Sequence, residues 1–277
     1  MADADKIALI GAGRMGGALA AGWLRGKGKV DPENLLICAP RATEEMGALI
    51  REHGLKRIDA LGPRTAKGVG LVILAVKPHV FFEMADSLAE ILPDDCAVIS
   101  VMAGVNIRTM TELLGDRPII RAMPNTPTAI GKGVIVCAAN AAGETRRKEA
   151  DKLLKVGGRV EWIDDERLMG AVTGVSGSGP AYFFLLAESL AGAGESLGLP
   201  RELAERLAAE TLVGAGELMK SSGLTPQELR RQVTSPNGTT QAALDVMMGG
   251  SALPELMRHA VAAAERRSRQ LGDSNRN

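Results

Sequence analysis

The stretch VTSPNGTTQAALDVM, residues 233–247, interrupts a run of helix-like sequence with a proline, an Asn-Gly turn signal and hydroxyls at Thr234, Ser235, Thr239 and Thr240. A helix start needs one capping hydroxyl, whereas this stretch supplies a cluster. The other concentration of chemistry lies near the opposite end. There the apolar run KIALI leads directly into GAGRMGGALAAGWL, which sets Gly11, Gly13 and Gly16 in the G-x-G-x-x-G spacing. In such a loop Gly11 permits the tight turn, Gly13 lets a pyrophosphate approach the backbone, and Gly16 lets helix and strand pack closely. The helix N-terminus behind it offers unpaired N–H groups and a positive dipole end to the phosphates. Arg14 and Met15 belong to the same loop. A bare glycine turn is the alternative, but a motif placed straight after a strand and opening a helix favours a dinucleotide.

The carboxyl ends of further strands would face that cofactor. After the second strand, LLIC, the sequence reads Cys38-Ala39-Pro40-Arg41-Ala42-Thr43. No carboxylate is present there to repel a 2′-phosphate, and Arg41 can pair with one through a charge-assisted fork. NADPH is therefore favoured, with NADH as the alternative; the plainer reading is an exposed Arg41 that merely starts a helix. LAVKP adds Ala75, Val76, Lys77 and Pro78, where Lys77 is either a phosphate contact or a solvated residue before a helix-opening proline. RAMPNTP adds Met123, Pro124, Asn125 and Thr126, polar groups on a backbone stiffened by prolines, fit to clamp a nicotinamide carboxamide.

The elements that must position these residues divide the chain. From Lys6 to about Trp162, short apolar runs (KIALI, LLIC, GLVILAV, CAVISV, PIIRAM, GVIVCAA, RVEWI) alternate with helix-like segments. Continuous Val/Ile runs point to strands buried on both faces, and the alternation predicts a doubly wound α/β domain with a parallel sheet over 1–162. After Trp162 the strand signals stop, and Ala, Leu, Glu and Arg predict an all-helical domain over 163–277, closing in a GDSNRN tail. Its helices are apolar on more than one side and rich in Ala and Gly, which favours a homodimer over a compact monomeric bundle.

Bulk properties remove other classes. Lys plus Arg and Asp plus Glu both total 33, so the formal net charge is zero and no basic footprint for nucleic acid exists. The acidic start MADADK and the lack of any apolar run of spanning length argue against a membrane protein. Cys38, Cys96 and Cys137 lie in strand-like runs without ligand spacing, which indicates reduced thiols in a cytoplasmic protein. His53, His79 and His259 are too scattered for a metal cluster or a triad.

Five segments, IGAGRMG at 10–16, LAVKP at 74–78, RAMPNTP at 121–127, GVSGSGPAYFF at 174–184 and VTSPNGTTQAAL at 233–244, resemble pyrroline-5-carboxylate reductase in family order. The resemblance implies a Rossmann domain followed by a helical dimerisation domain, assembled as a dimer or a ring of dimers. The implied reaction is reduction of the cyclic imine 1-pyrroline-5-carboxylate to L-proline. It implies further that Gly238 and Thr239 present N–H groups to the substrate carboxylate, with Ser235 beside them. Thr240 would set its hydroxyl on the ring nitrogen and serve as the catalytic residue. In SGSGPAY, Gly177 and Gly179 would keep the backbone slim while Ser176 and Ser178 complete a polar wall. Tyr182 stays outside the catalytic set, because Tyr182-Phe183-Phe184 at a helix start is more often core packing. The chain departs from the family pattern at Arg14, where Asn is common, and at Asn237, where a Gly is usual. Asn tolerates the left-handed conformation, so the turn should survive.

Overall fold

In a computed structural model, the described residues are 6–25 and 30–274, and side chains are described to 272. The acidic start and residues 26–29 lie outside them. The strands are β1 Lys6–Ala12, β2 Leu35–Ala42, β3 Lys56–Ile58, β4 Val69–Leu74, β5 Ala97–Ser100, β6 Ile119–Met123, β7 Gly133–Ala139 and β8 Gly158–Trp162. The helices are α1 Arg14–Arg25, α2 Glu44–His53, α3 Pro63–Ala66, α4 Pro78–Ile91, α5 Ile107–Leu114 and α6 Arg147–Leu154. They continue as α7 Met169–Val172, α8 Gly179–Ser196, α9 Arg201–Ser222, α10 Pro226–Gln232, α11 Thr239–Met248 and α12 Ala252–Ser274.

All the strands join one sheet in the order β3-β2-β1-β4-β5-β6-β7-β8. The run from β3 to β6 is parallel, whereas β7 pairs antiparallel with β6 and parallel with β8. The sheet is thus doubly wound but not wholly parallel. Only a short 3₁₀ turn, Thr126–Ile130, joins β6 to β7, and a parallel crossover needs a dozen or more residues. Helix α6 supplies such a crossover between β7 and β8, so those two do run parallel. β3 has no apolar run to announce it: KRI is an edge strand with two exposed residues.

The chain forms two compact units, one from the described residues of Met1–Gly177 with Ala264–Asn277, the other Ser178–Ala263. The first therefore takes in the 163–177 stretch and the C-terminal end of α12. That helix continues through Gly272–Ser274, where a tail was expected, and the last three residues fall outside the described chain.

Apolar burial is concentrated in the first unit. One cluster, around Leu9, Trp23, Ile37 and Ile73, fills one face of the sheet, and another, around Ile10, Leu74, Phe81 and Val98, fills the other. Alternate residues of each strand go to opposite faces, which is why the strands read as unbroken apolar runs. In the second unit only Ala191, Ala204 and Ala208 form a buried apolar cluster. Phe183, Phe184, Leu185 and Leu190 of α8 stay 56, 65, 61 and 51% exposed.

Candidate active site

The strand order reverses direction between β1 and β4, and ligands of open α/β sheets bind outside the carboxyl ends of the strands at such a point. There the Ala75 amide donates to the Ile10 carbonyl at 2.8 Å, fixing the two strand ends side by side. Gly11 has φ +108°, and a Cβ on it would collide with the Ala75 carbonyl oxygen. A Cβ on Gly16 would strike the Gly11 carbonyl oxygen. Gly13 differs, because nothing lies within 4 Å of where its Cβ would stand. Two of the glycines are therefore demanded by the protein's own packing, while Gly13 borders open space at the start of α1. Arg14 is exposed and Met15 half-buried, both in the first turn of that helix. This arrangement fits a pyrophosphate held on the α1 amides.

Arg41 is the penultimate residue of β2 and exposed, and its side chain makes no hydrogen bond or ion pair among the described residues. It does not start the next helix. Thr43 does that, its hydroxyl accepting from the Met46 amide at 3.3 Å. Lys77 is exposed at the N-cap of α4, where Pro78 takes the first helical position and Lys77 makes no side-chain cap bond. Ala75 and Val76 are half-buried on the way to it.

At the end of β6, Met123 and Pro124 are buried and Thr126 is exposed. The Asn125 side-chain Oδ1 accepts from the Val134 amide at 3.0 Å, and its Nδ2 donates to the Ser176 carbonyl at 3.2 Å. Its amide therefore braces two segments of the protein, which the sequence reading of a carboxamide clamp did not include.

Ser176 lies in a π-turn, Thr173–Gly177, directly after α7. The Ser176 hydroxyl donates to the Val172 carbonyl at 3.0 Å and that of Thr173 to Met169 at 2.8 Å. Such i→i+5 turns are rare and are frequently found at functional sites. Ser178 and Gly179 fall in the second unit, at the start of α8, and a Cβ on Gly179 would meet nothing within 4 Å.

The hydroxyl cluster is at the N-terminus of α11. Asn237 adopts φ 58° as required of it, and Gly238 is the N-cap. The Gly238 amide donates to the Ser235 carbonyl at 3.0 Å. Thr234, just after α10, donates its hydroxyl back to the Arg230 carbonyl of that helix at 2.6 Å. The hydroxyls of Ser235, Thr239 and Thr240 have no hydrogen bond among the described residues, so neither Ser235 nor Thr239 acts as the cap. Thr240 is half-buried and Ser235 and Thr239 are exposed. The first-turn amides and these hydroxyls are left to an outside acceptor or donor.

The loop Val101–Asn106, after β5, was not singled out from the sequence, and CAVISV gives it no polar signal. It lies on the same sheet edge, its Val101 amide donating to the Leu74 carbonyl at 3.0 Å and Gly104 at φ +76°. Thiol chemistry has no place here. Burial pushes Cys38 and Cys137 up to about 12, so both stay protonated at neutral pH.

Residues 166–271 match the family model described as pyrroline-5-carboxylate reductase dimerisation, and residues 6–104 match that of NADP oxidoreductase, coenzyme F420-dependent. The chain is 38% identical to a pyrroline-5-carboxylate reductase of Pseudomonas aeruginosa over 97% of both chains. It belongs to the pyrroline-5-carboxylate reductase family. An Arabidopsis thaliana member is 36% identical over 99% of this chain and 98% of its own. The solved reductase of Coxiella burnetii superposes with a TM-score of 0.88 at 32% identity, over 96% of this chain and 98% of that one. The match runs through both compact units, and among the described residues no helix is long and apolar enough to cross a membrane.

Proposed function

We infer that the chain reduces 1-pyrroline-5-carboxylate to L-proline, the last step of proline biosynthesis, with NADPH as donor and NADH as the alternative. The observation that carries this is kinship over 97% of the chain with a reductase of that name, extending through both the glycine loop and the hydroxyl cluster. A Plasmodium falciparum relative, 29% identical, was solved with NADP bound, which supports the cofactor assignment.

The pyrophosphate would lie against Gly11, Gly13, Arg14, Met15 and Gly16, with Arg41 toward the 2′-phosphate. Ala75, Val76, Lys77 and Pro78 with Met123, Pro124, Asn125 and Thr126 would flank the remainder. When bound, the reduced nicotinamide supplies a hydride to the imine carbon. The protein's own part is orientation, since holding the reacting atoms about 3–3.5 Å apart supplies much of the rate. Gly238 and Thr239 at the α11 N-terminus hold the substrate carboxylate, helped by a dipole worth about 0.3–1 kcal/mol at an exposed site. Ser235 adds a hydroxyl beside Thr239, and in SGSGPAY the hydroxyls of Ser176 and Ser178, on a backbone kept slim by Gly177 and Gly179, would serve as polar groups toward the substrate. Thr240 sets its hydroxyl on the ring nitrogen, donating to the neutral imine and accepting from its N–H once the nitrogen has taken a proton from solvent. The reaction consumes one hydride and one proton per imine, releasing proline and oxidised cofactor.

A β-hydroxyacid dehydrogenase shares this two-part plan but needs an acid/base lysine on the helix after the glycine-rich turn. Helix α8, GPAYFFLLAESLAGAGES, has none. A non-catalytic dinucleotide sensor would not require the hydroxyls of Ser235, Thr239 and Thr240. The uncovered apolar face of α8 supports assembly as a homodimer, or a ring of dimers, and the buried cysteines, none in a disulfide, support a cytoplasmic setting. The test is oxidation of NADPH by the purified protein with synthetic 1-pyrroline-5-carboxylate, repeated with NADH. Turnover yielding proline is expected. Binding of NADPH without turnover would return the chain to the sensor reading.

A further inference from the structure

We propose that Glu166 is a positioning residue for hydride transfer, holding the Val101–Asn106 loop at the cofactor edge of the sheet through its contacts with Arg121 and the start of α5. The proposal rests on the reductase reading.

Glu166 Oε1 accepts from Arg121 Nη1 at 2.8 Å. Both Glu166 oxygens also accept from the Ile107 amide, at 3.0 and 3.2 Å. Ile107 opens α5 directly after the loop, and the N-cap Asn106 accepts from the Thr109 amide at 2.8 Å. One end of the loop is thus tied to β4 through Val101 and Leu74, and the other to Glu166. A cavity of about 450 Å³ opens beside the pair, lined by Gly104, Asn106, Arg121, Met169 and Gly170 among others. Met102, Val105 and Ile107 anchor the loop in the apolar cluster on that face of the sheet, and the polar contacts set its end at the border of the cavity.

Charge matters as well as shape. The Arg121 side chain is only 9% exposed, and its Nε is buried without a partner. Glu166 is the anion that compensates it among the described residues, and removing the charge leaves a buried cation. Arg121 also lies two residues before Met123, and Glu166 lies just before α7 and the π-turn that carries Ser176. One ion pair therefore joins the end of β6, the loop after β5 and the lead-in to the polar turn. None of its atoms is assigned to cofactor or substrate, so its effect is indirect.

A purely structural role would lower stability without changing the chemistry of the folded enzyme. Arg117 is the control. It is buried at the far end of α5 and bonds the Leu114 and Pro93 carbonyls at 2.7 and 3.0 Å, away from the loop. The experiment measures kcat, NADPH affinity, Tm and amide hydrogen exchange of the cofactor-free full-length protein for Glu166→Gln and Arg117→Met. For Glu166→Gln, kcat should fall about tenfold while NADPH affinity changes less than about threefold, because misplacement of the reacting groups costs rate before it costs binding. Exchange over residues 101–107 should accelerate. Arg117→Met should lower Tm by a comparable amount and leave kcat per folded molecule unchanged. If Glu166→Gln does not fold, Glu166→Asp, which keeps the charge at shorter reach, is read by the same criteria. Unchanged kcat in the Glu166 variant would overturn the proposal whether or not exchange accelerates, and so would unchanged exchange. So would equal losses of kcat in both variants. Absence of turnover in the wild-type protein would instead refute the reductase reading, and the exchange measurement would still decide whether Glu166 holds the loop.

Discussion

The glycine loop and the hydroxyl cluster are both small, polar segments at helix N-termini, yet the protein builds them differently. Around Gly11 and Gly16 the backbone itself is the structural constraint, pressed against Ala75 and Gly11 carbonyls above a sheet buried on both faces. Around Gly238 the segment stands on a unit whose buried apolar cluster is three alanines. Its hydroxyls have no internal partner, and the α8 face in the same unit is uncovered. A site whose geometry is set by its own packing is complete within one chain. A site on an uncovered unit depends on whatever covers that unit, here a second copy.

Gly11→Val should have the largest effect. It forces a β-branched residue into φ +108° and drives Cβ into the Ala75 carbonyl. Strain of this kind costs on the order of 1–3 kcal/mol before the collision is counted. NADPH binding, read by fluorescence titration, should be abolished or the protein should fail to fold. Gly13→Ala sharpens the contrast. With open space around it, its Tm should stay within about 2 °C of wild type while NADPH affinity falls about tenfold or more, because the methyl group enters the pyrophosphate space. Equal behaviour of the two variants would erase the distinction between packing glycine and ligand glycine.

Phe184→Asp addresses the other region. It places a charge on the apolar α8 face, and light scattering should show dimer converting to monomer with loss of most activity, since obligate interfaces are broad and apolar. Dimerisation unaffected by this change would mean that another surface covers the unit. Thr240→Ala should lower kcat roughly 10–100-fold with NADPH affinity unchanged, as expected for a group that touches only the substrate nitrogen. An unchanged rate would remove Thr240 from the mechanism. Arg41→Ala should raise the KM for NADPH about tenfold and leave that for NADH alone, the measure of one charge-assisted contact to phosphate.

The last effect, absent at neutral pH, concerns the buried thiols. Cys38 and Cys137 are raised from the ordinary value of 9.0 to about 12, by burial first, with Asp151 adding to the effect at Cys137. Their folded pKa exceeds the unfolded one, so their contribution to stability is complete below about pH 9 and is lost as pH rises toward 12. Tm should fall gradually above about pH 9, and a thiol reagent near pH 8 should label these cysteines only after unfolding.

Much of the first region was legible because its signals are local. β1 and the Gly11–Gly16 spacing lie within one short segment, and a strand buried on both faces is a plain apolar run. β3 was not legible, being three residues at an exposed edge. The reversal of β7 was hidden in a loop length rather than in residue types. At the site, the left-handed Asn237 followed from the glycine usual there in the family it resembles, whereas LLIC did not show that β2 runs on through Arg41 to Ala42. The bracing by Asn125 and the Glu166–Arg121–Ile107 contacts did not. These link residues 51, 45 and 59 positions apart, and no periodicity within a segment reports such a pairing. The π-turn at Thr173–Gly177 was likewise invisible, since GVSGSGP reads as a glycine-rich loop in any conformation.

The most direct test uses NADPH carrying deuterium at the transferable position of the nicotinamide, incubated with the protein and 1-pyrroline-5-carboxylate. Mass spectrometry of the product should find L-proline with a single deuterium on the ring carbon that was doubly bonded to nitrogen. Unlabelled proline, or no proline from protein shown to bind NADPH, would contradict hydride transfer to the imine as the function of this chain.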